Sequence, residues 1–129
     1  MSYQHAVVWL DHLRAVVIDF SIDNEHVHIV PSNTEHRQVH RKGGAPGSGK
    51  ATDDHVFFDD VVAAVGDARE VLILGPGQTK HAFRRDLDHR HPDVAKLVVA
   101  VETTDRLQVD ELLTFARKYF RRVDNLRGV

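Results

Sequence analysis

Apolar and polar residues follow one another along the chain in a pattern that predicts five strands and three helices. Runs rich in valine, isoleucine and leucine predict strands at His5–Leu10, Arg14–Phe20, His26–Val30, Val71–Leu74 and Leu97–Glu102. Apolar residues spaced three and four positions apart predict helices from the cap pair Asp53-Asp54 to Val65, from Thr79 to about His89, and over Val109–Phe120. The predicted element order is β-β-β-α-β-α-β-α.

This order predicts an α/β fold with helices on both faces of a mixed five-stranded sheet. Three meandering antiparallel strands followed by βα units give the strand order 3-2-1-4-5, which is the topology of the ribonuclease-H-like group. The inner helix faces are expected to carry the apolar positions Phe58, Val61, Val62, Val65, Val109, Leu112, Leu113, Ala116 and Phe120. A length of 129 residues predicts one domain over 1–129.

Residues from about 31 to 52 contain no periodic apolar pattern and predict a flexible basic loop. The segment includes Gly43-Gly44-Ala45-Pro46-Gly47-Ser48-Gly49, and long loops of this kind are functional or disordered. Its basic residues and those of a second block near the C-terminus are Arg37, His40, Arg41, Lys42, Lys50, Arg117, Lys118, Arg121 and Arg122. Two local basic blocks on a chain of net charge −2 indicate a directed anionic partner, such as the phosphates of RNA.

The composition excludes several classes of protein and site. The chain has no cysteine, which excludes disulfides, thiolate chemistry and cysteine-based zinc sites. No apolar run approaches the roughly 18 residues of a membrane span, and the N-terminus lacks a secretory signal pattern. A cytoplasmic protein without a membrane partner is expected.

Two catalytic interpretations are weak on the residues themselves. A ribonuclease-H metal site would use Asp11 and either Asp59 or Asp60, but the third carboxylate position is occupied by Gly75-Pro76-Gly77. The segment Gly44–Lys50 matches the core of a phosphate-binding P-loop, yet no buried strand precedes it and Ala51 stands at the hydroxyl position. Neither pattern predicts a catalytic residue or a cofactor.

A third candidate has the correct context, because Gly75-Pro76-Gly77-Gln78-Thr79 joins a buried strand to a helix. Backbone amides and the helix dipole can bind an anion there, through Gly75, Gly77, Gln78 and Thr79. A tight connection in which the glycines only let the chain turn is the favoured alternative, since Pro76 removes one amide. Histidine pairs at positions 26 and 28, 36 and 40, and 89 and 91 are explained by exposed positions, so no metal site is predicted.

The segments His40-Arg41-Lys42-Gly43-Gly44-Ala45 and Val71–Phe83, in this arrangement of strands and helices, resemble the central domain of archaeal and eukaryotic class-1 release factors and of Pelota. The similarity extends from Val7 to about Phe120, and it includes a small bacterial family described as stalled-ribosome-rescue-like. The resemblance implies a ribonuclease-H-like fold, a bacterial translation-associated protein and a ribosomal partner. In release factors the basic loop ends in Gly-Gly-Gln and assists hydrolysis of peptidyl-tRNA. Ala45 replaces that glutamine here, which argues against an enzyme.

The function expected from these observations is non-catalytic binding to ribosomal RNA or tRNA, in ribosome rescue or a stress response. The two basic blocks would contact phosphates, and Gly43 and Gly44 would allow close backbone approach. Two alternatives stay open. One is a phosphate- or nucleotide-binding hydrolase that uses Gly75–Thr79 or Gly44–Lys50. The other is a structural homodimer formed through the edge strand His26–Val30.

Overall fold

The structure is a computed structural model that describes residues 5–32 and 46–126, with side chains described for 5–32 and 55–123. The five strands are β1 His5–Leu10, β2 Arg14–Phe20, β3 Glu25–Pro31, β4 Glu70–Gly75 and β5 Val98–Thr103. The helices are α1 Pro46–Val65, α2 Thr79–Arg90, α3 Pro92–Ala95 and α4 Val109–Leu126. β1 and β2 have the boundaries that the sequence predicts. The boundaries of the other three strands differ from the prediction by one residue at both ends.

The strands form one mixed sheet in the order β3-β2-β1-β4-β5, which confirms the predicted topology. β1 pairs antiparallel with β2 and parallel with β4, so these two nearly fully apolar strands lie together at the centre. β1, β4 and β5 are parallel and finish at the same edge, which we call the carboxyl end of the sheet. The opposite edge, where β1 and β4 begin, is the amino end.

Apolar side chains fill both faces of the sheet. One face packs against α1 and α2 around Val8, Ile73 and Phe83, which are fully buried. The other face packs against α4 around Leu72 and Phe120. Strands β1 and β4 are buried on both faces, as continuous apolar runs require.

Three local features differ from the sequence expectation. α1 begins at Pro46, so residues 46–52 are helical where a loop was expected. Proline is well suited to the first turn of a helix, because an N–H at that position would have no partner within the helix. Gly47 and Gly49 have low helix propensity, so the sequence pattern did not predict a helix here. A further short helix, α3, occupies Pro92–Ala95. Val109 is 39% exposed, because it is the first residue of α4 and precedes the buried stripe.

The C-terminal end of α1 is the one that the sequence predicts. Gly66 follows Val65 with a φ of 65°, the left-handed conformation that glycine adopts without steric cost. In the described part of the chain, no helix has both the length and the apolar character that crossing a membrane requires.

Candidate nucleic-acid interface

The turn from Gly75 to Thr79 lies at the carboxyl end of the sheet and joins β4 to α2. Gly75 is buried, and a Cβ atom there would overlap the carbonyl oxygen of Leu10 at the end of the neighbouring strand. Gly77 is exposed and has open space where a Cβ would stand. Gly75 is therefore required for the packing of the two strands. At Gly77 the backbone is accessible, and a ligand can approach it.

Lys80 places a positive charge beside this turn, a role that the sequence pattern did not predict. Its side chain is almost fully buried at the start of α2, and its Nζ donates a hydrogen bond of 2.6 Å to the carbonyl oxygen of Gly77. The residue shares a helix face with Phe83 and Leu87, at spacings of three and seven, so its inward position could have been found from the sequence. The ammonium group fixes the carbonyl of Gly77 in the turn.

The segment that carries most of the predicted contacts departs from the carboxyl end of the sheet. β3 ends there, and the amide of Ser32 donates a hydrogen bond to the carbonyl of Leu13 in the β1–β2 turn. α1 runs parallel to α2, since His55 lies against Asp86 and Asp59 lies against Arg90, so its first residue is also at this end. The predicted contacts Arg37, His40, Arg41, Lys42, Gly43 and Gly44 lie outside the described residues, as does the Lys50 side chain.

The second predicted group lies on α4 at the amino end of the sheet. Arg117 is directed inward: its Nη1 donates hydrogen bonds to the carbonyl oxygens of Ser21 (2.6 Å) and Ile22 (3.1 Å). Its guanidinium carbon lies 5.3 Å from the centre of the Phe20 ring, and its Nη2 is 3.4 Å from Glu25 Oε1. Arg117 thus fastens the β2–β3 turn to α4 and has little capacity left for a ligand.

The other three basic residues of α4 are exposed. The Arg122 guanidinium carbon lies 6.0 Å from the centre of the Tyr119 ring, and burial raises the pKa of the Tyr119 phenol. Within the part of the chain whose side chains are described, neither Lys118 nor Arg121 has an ion-pair partner. Exposed cations without acidic partners are the residue type that contacts phosphates.

The point at which the basic segment leaves β3 and the basic group on α4 are separated by the length of the sheet. Strand β3 runs from the amino end of the sheet, where Arg117 lies, to the carboxyl end, and its seven residues span roughly 20 Å at the usual rise per residue. α1 and α4 also cover opposite faces. The α4 cations therefore lie at the opposite end of the sheet from Ser32, after which the basic segment begins.

The structure does not assemble the ribonuclease-H carboxylates. Asp11 Oδ1 accepts hydrogen bonds from the amides of Leu13 (2.9 Å) and Arg14 (3.1 Å), so this carboxylate stabilises the β1–β2 turn. Asp59 instead lies beside the last turn of α2, away from the carboxyl end of the sheet. The assignment of Asp11 as a turn residue is confirmed.

Asp59 belongs to a polar cluster between α1 and α2. Arg90 donates to both carboxylate oxygens of Asp59 at 2.8 Å and to those of buried Asp86 at 3.1 and 3.2 Å. His91 Nε2 lies 2.9 Å from Asp59 Oδ1. The hydrogen bonds from Arg90 and His91 lower the pKa of Asp59. Asp59, Asp86 and His91 are close enough together to hold a cation, but the Arg90 guanidinium already neutralises both carboxylates.

Comparisons with known proteins agree with this architecture. No protein-family profile matches the chain. A Pelota homologue of Methanothrix thermoacetophila is 30% identical over 86 residues, which is 64% of this chain. The chain spans about a fifth of that relative's length, namely 22%.

Solved structures give the same result for the fold. Pelota of Archaeoglobus fulgidus superimposes over 99% of this chain and 34% of its own, with a TM-score of 0.63 and 18% identity. Pelota of Thermoplasma acidophilum matches 84% of this chain and 30% of its own (TM-score 0.54, 18% identity). An archaeal translation termination factor matches 96% and 41% (TM-score 0.58, 10% identity). These relatives are archaeal, so the expected bacterial origin receives no support. The chain resembles part of a Pelota homologue in sequence, and in fold it resembles a domain of Pelota and of an archaeal translation termination factor.

Proposed function

We propose that this protein is translation-associated and binds ribosomal RNA or tRNA on the ribosome without catalysing a reaction there. The observation that supports this most is the sequence match to a Pelota homologue over 86 residues, together with a Pelota fold that covers 99% of the chain. One structural neighbour is a translation termination factor. Ribosome rescue is the specific activity that the resemblance suggests for this domain.

Two separate contact regions follow from the positions of the basic residues. The primary region is the basic segment with Arg37, His40, Arg41, Lys42, Gly43, Gly44 and Lys50. It departs from the same end of the sheet as the Gly75–Thr79 turn, whose backbone amides at the start of α2 would add a phosphate contact. The secondary region is α4, where Lys118, Arg121 and Arg122 are exposed. Arg117 would act there by holding the helix against the β2–β3 turn.

Binding to RNA through phosphates predicts a strong dependence on salt, which tests the primary region. Affinity for ribosomal RNA fragments and tRNA is measured by fluorescence anisotropy at several salt concentrations. The double variant R41A/K42A should weaken binding to all sequences and reduce the slope of log affinity against log salt by roughly 1.5 to 2. The matched control R85A/K96A removes the same charge from two exposed residues outside both regions, and it should leave the slope unchanged.

The secondary region is tested in the same assay with K118A/R121A. If the two regions contact RNA independently, the losses in binding free energy should add when both pairs are changed. If the R41A/K42A variant and its control behave alike, the primary region does not contact RNA.

A nucleotide-binding hydrolase is the enzyme alternative, and the geometry gives it little support. Residues 46–50 of the P-loop-like segment are helical, and no strand of the described chain leads directly into it. At the Gly75–Thr79 turn, the nearby Lys80 ammonium group is bound to the Gly77 carbonyl. Calorimetric titration with ATP, GTP and phosphate separates the two classes, because heat of binding with a nucleotide would favour the hydrolase.

A homodimer is supported by one specific observation on the edge strand. Val27 and Ile29 of β3 are 36% and 56% exposed, and β3 is the edge strand of the described sheet, with no further described strand paired to it. Antiparallel pairing of two β3 strands about His28 would place Val27 of one copy against Ile29 of the other. Sedimentation velocity of the wild type and I29K tests this, since a dimer through β3 should be lost in I29K.

A further inference from the structure

Asp19 is a buried carboxylate on the sheet, close to two histidines of the edge strand. It is only 7% exposed, and its Oδ1 atom has no hydrogen-bond partner among the described residues. Its other oxygen, Oδ2, lies 3.4 Å from His28 Nε2. Burying a carboxylate oxygen without a partner costs free energy, and a bound cation would offset that cost.

The register of β2 and β3 brings the second histidine to the same place. His26 stands directly opposite Asp19 across the antiparallel pair, and residues in that relation have Cβ atoms about 5 Å apart. His26 and His28 are two residues apart on one strand and project from the same side. Their ring centres are 4.3 Å apart. The sequence showed the histidine pair, but only the strand register reveals the carboxylate between them.

The two imidazoles of this cluster are accessible from solvent. His26 is exposed and His28 is partly exposed, so an ion from solvent can reach both imidazoles.

We propose that Asp19, His26 and His28 form a binding site for a divalent transition-metal ion of the zinc type. Two imidazoles and one carboxylate are the ligand set that such ions prefer, whereas Mg²⁺ and Ca²⁺ prefer oxygen ligands alone. Three protein ligands leave the remaining coordination position to water. The bound ion would satisfy the free oxygen of Asp19 and connect β2 to the edge strand β3.

The cluster of Asp59, Asp86 and His91 is the competing site in the described chain. There Arg90 donates to both carboxylates, so an incoming cation would have to displace a guanidinium group. At Asp19 no arginine or lysine of the described residues pairs with the carboxylate, and Oδ2 lies 3.4 Å from His28 Nε2, so these two groups can share an ion once the His26 ring moves closer to complete the set. The Asp19 site is therefore the better candidate.

Zinc binding is measured on protein without a histidine tag, by calorimetric titration and by the shift in the thermal unfolding midpoint. Wild-type protein should bind one Zn²⁺ per chain at this site and unfold at a higher temperature with Zn²⁺, and Mg²⁺ should have no effect. H28A and D19N should each weaken Zn²⁺ binding by at least about tenfold. H91A, the matched control in the competing cluster, should bind Zn²⁺ like the wild type.

D19N also separates a binding role from a folding role. The amide keeps the shape of the side chain and removes a buried charge, so the metal-free variant should be at least as stable as the wild type while it loses the response to Zn²⁺. The proposal is overturned if Zn²⁺ leaves the wild type unchanged, if D19N and H28A keep their response, or if H91A loses it.

Discussion

Gly75 gives the sharpest test of how the centre of the sheet is packed. It is the last residue of β4, and a Cβ atom added there would approach the carbonyl oxygen of Leu10 to less than 3.0 Å. That separation is one that real Cβ atoms essentially never show. The obstructing atom belongs to the backbone of β1, which is paired on both sides, so it has no flexible side chain that could move away.

The expected cost of Gly75→Ala follows from this geometry. The chain must either separate the ends of the two central strands or distort the turn, and overpacking of this kind costs about 2–3 kcal/mol. A domain of this size loses roughly 3–5 °C in its unfolding midpoint per kcal/mol, so the midpoint should fall by about 10 °C. Gly77→Ala is the matched control, because a Cβ there has open space and the φ angle lies outside the left-handed region. It should be neutral or stabilise by up to about 0.5–1 kcal/mol.

Urea unfolding followed by tryptophan fluorescence measures both variants. Trp9 is the single tryptophan of the chain and is 3% exposed in β1, one residue before Leu10. Far-UV circular dichroism on the same samples checks that the two probes report one transition. Equal stabilities for the two variants would refute the close packing of β1 against β4 at Gly75.

Two further changes test contacts elsewhere in the fold. Arg117→Ala should destabilise by about 1–2 kcal/mol in urea unfolding, because it removes hydrogen bonds to the Ser21 and Ile22 carbonyls, whereas exposed Arg121→Ala should change stability by less than about 0.5 kcal/mol. Asp59→Asn should cost about 0.5 kcal/mol at pH 7, since the pair is partly exposed. The folded-state pKa of Asp59 is lowered, so this contribution is present above its ordinary pKa of 3.8 and lost as the pH falls through the folded value. Unfolding curves of wild type and D59N should therefore converge as the pH falls below 3.8, and a difference that stays constant from pH 7 down through this range would show that the ion pair is not its source.

The hydrophobic pattern predicted the sheet because its signal is strong in this chain. β1 and β4 are continuous apolar runs, and their burial on both faces leaves only the centre of the sheet as a place for them. The edge position of β3 was equally visible, since its polar and apolar residues alternate and Pro31 ends it. The start of α1 was not predicted because Gly47 and Gly49 have low helix propensity. In the structure both residues belong to a 20-residue helix, and adding residues to an existing helix is easier than starting one.

The chemistry was harder to predict than the fold. Lys80 and Asp19 are charged residues that the structure buries, and a charge gives no apolar signal to a sequence pattern. The position of Asp19 beside His26 depends on the β2–β3 register, which a turn of a few residues sets. The distance from Ser32, after which the basic segment begins, to the cations of α4 depends likewise on the direction in which β3 crosses the sheet. The predicted RNA contacts themselves remain predictions.

Above all, we propose that this protein binds ribosomes through its basic segment. Purified ribosomes are mixed with the protein at low and physiological salt and sedimented through a sucrose cushion, with R41A/K42A and the control R85A/K96A in parallel. The account predicts that wild type and control sediment with ribosomes, that R41A/K42A stays in the supernatant, and that binding weakens steeply as salt rises. Wild-type protein that stays in the supernatant even at low salt would contradict it.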